Sequence, residues 1–210
     1  IFNKYHDGFI SGRQKDSFTF LSYLINDLNK ELKQYDPSFI DDLFNIIILS
    51  KYECENCNKI IDRVSQSYPL YIPLYVPDQN EEIKLSKLLM DYAHNHNKTV
   101  NTSCPYCMIK TEQKILRQFN TLPKIVAFQF QRFNMYNQNK NTTPISLPNK
   151  LNIGKFSVDN NDCLYELYGT INHSGNVDFG HYTATIKIND NWITISDKSN
   201  YSKDHIMRYN

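Results

Sequence analysis

The chain has 210 residues, a formal net charge of +1 and 40% hydrophobic residues, with 15 Tyr and 12 Phe. That is apolar material enough for one large domain or two small ones. So small a charge supplies no bulk field toward nucleic acid or anionic lipid, and no apolar run approaches the roughly 20 residues that span a bilayer. The chain opens at Ile1 with no signal-peptide pattern, which reads as a fragment, a processed chain or a trimmed one.

The first predicted element is a helix over Gly12 to Leu32. Ser11 and Gly12 can open it, Phe18, Leu21, Leu24, Ile25 and Leu28 recur at helical spacing, and "DPS" at 36–38 ends it. "LFNIIILSKYECENC" reads as a strand running into a metal knuckle. "YPLYIPLYVP" alternates and is punctuated by prolines, so an extended edge strand is expected. A short helix is expected over 83–95, then strands over 109–119, 124–133 and 164–173. The Asn-rich stretch 134–144 reads as a mobile surface loop. "YELYGTINH", "HYTATIKI" and "NWITIS" are strand candidates, the last two joined by "NDN", a hairpin signal.

There are five cysteines, an odd count that argues against a secreted disulfide framework. Four of them form two C-x2-C pairs, Cys54/Cys57 and Cys104/Cys107, separated by 46 residues. Each pair sets two thiolates on one tight turn, about the bite a tetrahedral Zn2+ needs. The separation suits a zinc ribbon, with one structural Zn2+ per chain. Such usage belongs in a reducing compartment, the cytoplasm or nucleus. His94 and His96 lie between the pairs and could replace a sulfur, although solvated loop histidines are commoner. Cys163 reads as a strand-end thiol with no role.

"LYELYGTINHSGNVDFGHYTATI" places two histidines eight residues apart around a glycine-containing loop. His181 opens a strand, where its ring can face a cleft. Trp192 follows eleven residues later, then "ITISDKS". A hairpin across "NDN" would return Ser196 or Asp197 beside His181, where a polar acceptor fixes the imidazole tautomer.

These residues carry a resemblance. "YELYGTINHSGNVDFGHYTATIKINDNWITISD" resembles the His box of the ubiquitin-specific proteases, the papain-like peptidases that remove ubiquitin. "GRQKDSFTFLSYLINDL" resembles their Gln-x-Asp helix, although Thr19 stands where Glu is usual. "YECENC" and "SCPYC" resemble their two zinc knuckles, "LPKIVAFQFQRFN" their Leu-Pro strand ending in Arg-Phe, and "ISLPNKLNI" their Phe-Pro-x-x-Leu-Asp segment.

The resemblance implies an α+β papain-like hand, mainly antiparallel, in one domain. Residues 1–40 would supply thumb helices, 41–133 fingers with the zinc ribbon, and 145–210 a palm with the His box. It implies thiol-dependent hydrolysis after the C-terminal Gly of ubiquitin, with His181 as general base and Ser196 or Asp197 as its orienting partner. Gln14, Asp16, Gly180 and Tyr182 would meet ubiquitin's C-terminal tail; the alternative for Gln14 and Asp16 is helix capping and first-turn charge. The implied partners are ubiquitin or a ubiquitinated protein and a larger protein complex, with neither nucleic acid nor membrane. Two departures stand out. Ser196 occupies a position where the family has Asp or Asn, and the Asn-x-Cys-Tyr-like box that carries the nucleophile occurs nowhere in the chain, so that cysteine is expected upstream of it. The other reading is therefore a catalytically inactive module that binds ubiquitin or scaffolds a complex. A zinc-ribbon nucleic-acid binder finds no support in a +1 chain without a basic cluster at its knuckles.

Overall fold

In the computed structural model the described residues are 16–66, 71–93, 99–133, 139–176, 179–196 and 199–202. They fall into two compact units. One comprises the described parts of Ile1–Pro37, Phe133–Asn141 and Tyr168–Met207, and the other those of Ser38–Arg132 and Thr142–Leu167. Both are α+β and mainly antiparallel. No helix among the described residues is long and apolar enough to cross a membrane.

The second unit is organised by a four-stranded antiparallel sheet. Its strands are β1 (Ile47–Cys54), β2 (Ile60–Gln66), β5 (Thr99–Ser103) and β6 (Lys110–Thr121), in the order β2-β1-β6-β5. Two hairpins, β1–β2 and β5–β6, are therefore joined edge to edge through β1 and β6. Away from the hairpin tips the sheet runs into the core. Ile48 and Phe119 pair across β1 and β6 and are nearly solvent-free.

Helix α3 (Leu85–Ala93) presents Leu85, Leu88, Leu89 and Ala93 to that core, a 3–4 spacing that sets one stripe inward. Two short parallel pairs complete it: β3 (Ile72–Tyr75) with β7 (Phe128–Gln131), and β4 (Ile83–Lys84) with β8 (Ile145–Ser146). Ile72, Leu74 and Val76 point inward by strand alternation. A small antiparallel pair, β9 (Lys150–Asn152) with β10 (Leu164–Glu166), lies in the same unit.

The first unit holds helix α1 (Ser17–Leu32) and a second four-stranded antiparallel sheet. Its strands run in sequence order: β11 (Gly169–Gly175), β12 (Gly180–Ile188), β13 (Asn191–Ser196) and β14 (Ser199–Ser202). The β12–β13 turn is Asn189-Asp190, both at positive φ (47° and 65°), as a two-residue hairpin turn of matching twist requires.

Several expectations need correction. The strand read over 164–173 is two strands in different sheets, because the chain breaks at Leu167–Tyr168, between β10 and β11. The strand read over 124–133 shrinks to Phe128–Gln131, and helical hydrogen bonding begins only at Leu85, after the β4 pairing. A short helix α2 (Phe39–Phe44) follows the "DPS" break, where Ser38 supplies the cap position and Asp41 and Asp42 favour the first turn. The expected helix start at 12 and residues 134–138 of the expected loop lie outside the described residues.

Candidate active site and metal centre

The two C-x2-C turns are built alike. In the first, the Asn58 N–H donates to Cys54 O (2.8 Å) and the Cys54 N–H to Lys59 O (3.1 Å). In the second, Met108 N–H donates to Cys104 O (2.9 Å) and Cys104 N–H to Ile109 O (3.0 Å). Each turn closes through a left-handed residue, Asn58 at φ 54° and Met108 at φ 60°. This geometry turns both thiols of a pair to the same side.

The four sulfurs lie within 4.8 Å of one another. Cys54 and Cys107 Sγ are 3.9 Å apart, and Cys57 and Cys104 Sγ 3.7 Å. A tetrahedral metal with bonds of about 2.3 Å to sulfur sets an edge of about 3.8 Å, so the donor set fits a thiolate-loving ion such as Zn2+. Hydrogen bonds from the Cys107 and Tyr106 backbones outweigh burial and bring the Cys104 thiol down to about 7. The Tyr106 contact is 3.4 Å. Four sulfurs would fill the coordination sphere of such an ion, and closed sites of that kind hold structure. His94 and His96 lie outside the described residues.

His181 and Ser196 meet. The imidazole Nε2 is 2.8 Å from Ser196 Oγ. The β12–β13 register explains the contact. Ala184 pairs with Ile195, so Thr183 falls beside Ser196, and His181, two residues earlier, shares its face. The same face carries a polar ladder that pattern reading missed. Thr185, 3% exposed, meets Thr194 Oγ1 at 3.0 Å and accepts from Asn172 Nδ2 at 3.4 Å. Asp197, the second candidate, lies outside the described residues, as does Gln14.

Asp16 is the N-cap of α1. Its Oδ1 accepts from the Thr19 N–H (2.7 Å) and from Thr19 Oγ1 (3.0 Å). The first turn carries no acidic residue, so among the described residues of this stretch it is the Asp16 carboxylate that offsets the positive end of the helix. Gly180 pairs with Gly175 at the mouth of the β11–β12 hairpin, and Tyr182 pairs with His173. Beyond them, Asn176 closes the turn. Its N–H donates to Phe179 O, and its Oδ1 accepts from the Phe179 N–H, both at 2.8 Å.

None of the five cysteines belongs to the unit that carries His181. Cys163 sits in the other unit, its N–H donating to Asn152 Oδ1 (3.1 Å) and its carbonyl accepting from Ile153 N (2.9 Å). One further buried residue escaped the sequence reading. Gln113 is directly across the strand pair from Cys54 and fully buried, with Nε2 reaching Thr102 O at 3.5 Å. No periodic signal marks it, because a lone Gln in a strand normally faces solvent.

Known proteins match this chain over most of its length. The family model described as ubiquitin carboxyl-terminal hydrolase matches residues 1–206. Probable ubiquitin carboxyl-terminal hydrolase 16 of Schizosaccharomyces pombe is 25% identical over 211 residues, covering 93% of this chain and 45% of its own length. Ubiquitin carboxyl-terminal hydrolase nonstop of Drosophila melanogaster is 25% identical over 173 residues, covering 75% of this chain and 34% of its own. The chain thus spans less than half the length of these curated relatives. The solved structure of the SAGA DUB module Ubp8/Sgf11/Sus1/Sgf73 bound to monoubiquitin has the same fold, with a TM-score of 0.82 at 21% identity over 99% of this chain and 49% of that one. The match over residues 1–206, joined to this fold, settles the assignment: the chain belongs to the ubiquitin carboxyl-terminal hydrolase family.

Proposed function

We propose that the chain supplies the base half of a cysteine-protease site that cleaves the isopeptide or peptide bond after the C-terminal Gly of ubiquitin. The observation that carries this reading is the 2.8 Å contact between His181 Nε2 and Ser196 Oγ. With the Nε2–H donating to the hydroxyl, Nδ1 holds the lone pair that accepts a thiol proton. The thiolate attacks the carbonyl carbon, His181 returns the proton to the departing lysine amine, and water hydrolyses the thioester. A positioned base of this kind contributes about 10²–10⁴ in rate. The nucleophile of this reading is a cysteine from outside the 210 residues, since four of the chain's five cysteines form the metal cluster and Cys163 stands in no Asn-x-Cys-Tyr-like box.

Around that centre, Gln14, Asp16, Gly180 and Tyr182 would line the path of the ubiquitin tail, with Asp197 as a second support for the imidazole. The four cysteines would hold one structural Zn2+. The partners would be ubiquitin, as bound by the SAGA DUB module, and a larger complex like that module. The thumb, fingers and palm division at 1–40, 41–133 and 145–210 and a cytoplasmic or nuclear setting belong to the same proposal.

A second reading, an inactive ubiquitin-binding or scaffolding module, draws on the hydroxyl at Ser196, which steadies an imidazolium less than a carboxylate does. Two measurements separate the readings. Calorimetric titration of the chain with ubiquitin should give a saturable heat under both. A ubiquitin probe with a C-terminal electrophile, applied to the protein together with the sequence its gene encodes upstream, should label one cysteine under the first alone. A flat titration removes both.

A further inference from the structure

His181 enters β12 directly after Gly180, a residue with no side chain to anchor the strand end. A Cβ at Gly180 would stand 2.2 Å from His173 Nε2, 2.7 Å from His173 Cε1 and 2.4 Å from Ser174 O. The His173 ring therefore rests on the bare Gly180 backbone, and a side chain at 180 would have to expel it. Three further contacts hold the same residue. Tyr182, its cross-strand partner, lies with ring centroids 4.7 Å away at 47°. Phe133 approaches edge-on, with centroids 6.0 Å away at 67°. Lys140 Nζ donates to the His173 carbonyl at 2.5 Å. Phe133 and Lys140 are themselves joined by an antiparallel bridge, so both converge on His173.

His173 and His181 point to opposite faces of the sheet, because His173 shares the face of Tyr182 and His181 that of Ser174. The ring is thus outside the catalytic face and acts on it only through backbone. We infer that His173 is a positioning residue for His181: its ring, wedged between Phe133, Tyr182 and the Gly180 backbone, holds the start of β12 so that the His181 imidazole stays on Ser196. Glycine at 180 gives the wedge its room, and the wedge removes the freedom that glycine brings. Burial first, and then the Lys140 ammonium, push the His173 pKa below the ordinary histidine value, so the ring sits there neutral. Its Nδ1 is shielded from solvent and has no hydrogen-bond partner among the described residues, so protonation would set a charge beside Lys140 and Tyr182 with nothing to receive it.

This inference builds on the reading of His181 as the base, but its test needs no turnover. Ring ¹H–¹⁵N correlation spectra of the 210-residue chain report which His181 nitrogen carries the proton, and amide exchange at Gly180, His181 and Tyr182 reports how firmly the strand end is held. In His173→Ala the single His181 tautomer should give way to a mixture, and exchange at these amides should quicken about tenfold. His173→Phe, which refills the wedge with a flat ring, should restore both. Gly180→Ala, which displaces the ring, should reproduce the alanine variant. A folded His173→Ala chain with unchanged His181 signals and exchange overturns the proposal, as does a phenylalanine variant that restores neither. Should His173→Ala fail to fold, the phenylalanine variant decides alone. A chain with this dependence but no ubiquitin binding sinks the functional reading and leaves this one standing; ubiquitin binding with His181 indifferent to residue 173 does the reverse.

Discussion

The unit that carries the four cysteines packs fourteen apolar side chains into a continuous core, from Ile46 to Phe156. In the unit that carries His181, Ile25 is the one buried apolar side chain among the described residues, and its sheet leaves Ile171 60% exposed. The cysteine-bearing unit is built on that filled core, with its cysteine cluster assembled by two local turns and its sheet continuing into the core. The unit with His181 rests on strand register, a hydroxyl ladder and a ring wedged against glycine. On the proposed reading, stability and chemistry are thus supplied by different parts of the chain, and substitutions should separate them.

The largest effect should come from the metal site. Cys104→Ser removes one of four thiolates, and structural sites of this kind carry on the order of 10 kcal/mol of folding free energy. Metal analysis should return one ion per chain for the parent and none for the variant, with the ribbon sheet lost by circular dichroism. Next, Leu89→Ala in the filled core should cost about 3 kcal/mol by denaturant unfolding. Ile171→Ala on the open sheet face should stay within about 0.5 kcal/mol. Equal costs at the two sites would erase the contrast between the regions.

Smaller changes sharpen it. Ser196→Ala removes one hydrogen bond worth about 1 kcal/mol, which should lower probe labelling of the upstream-extended protein about fivefold and cost no more than about 1 kcal/mol in unfolding. Met108 holds a left-handed backbone that its counterpart Asn58 tolerates better, so Met108→Asn should stabilise by about 0.5 kcal/mol. The smallest effect is the pH dependence from His173. Its folded pKa is depressed, so below about pH 6.5 the unfolded chain binds a proton that the folded chain refuses. Stability should therefore fall as pH drops through that range, and urea midpoints at about pH 5 and 7.5 should lie closer together in His173→Phe.

Much of this was legible because it is local. The knuckles are written in C-x2-C spacing, the β12–β13 hairpin in "NDN", and the α3 stripe in Leu85, Leu88, Leu89 and Ala93. Placing Ser196 near His181 required only hairpin arithmetic. The break at Leu167–Tyr168 was not legible, because residues 164–173 alternate without a turn residue before Gly169, and only the pairing partners of β10 and β11 differ. Gln113 and His173 were missed for a related reason. Their roles arise from what faces them across strands, Cys54 in one case and Tyr182 in the other, and no local pattern records a cross-strand neighbour.

The central claim is that the His181 imidazole, held by Ser196, is the base of a thiol hydrolase. Its most direct test is single-turnover cleavage of a ubiquitin C-terminal amide by the upstream-extended protein and its His181→Gln variant. The account predicts cleavage by the parent and a loss of about 10²–10⁴ in the variant. Cleavage at the parent rate by the glutamine variant would contradict it.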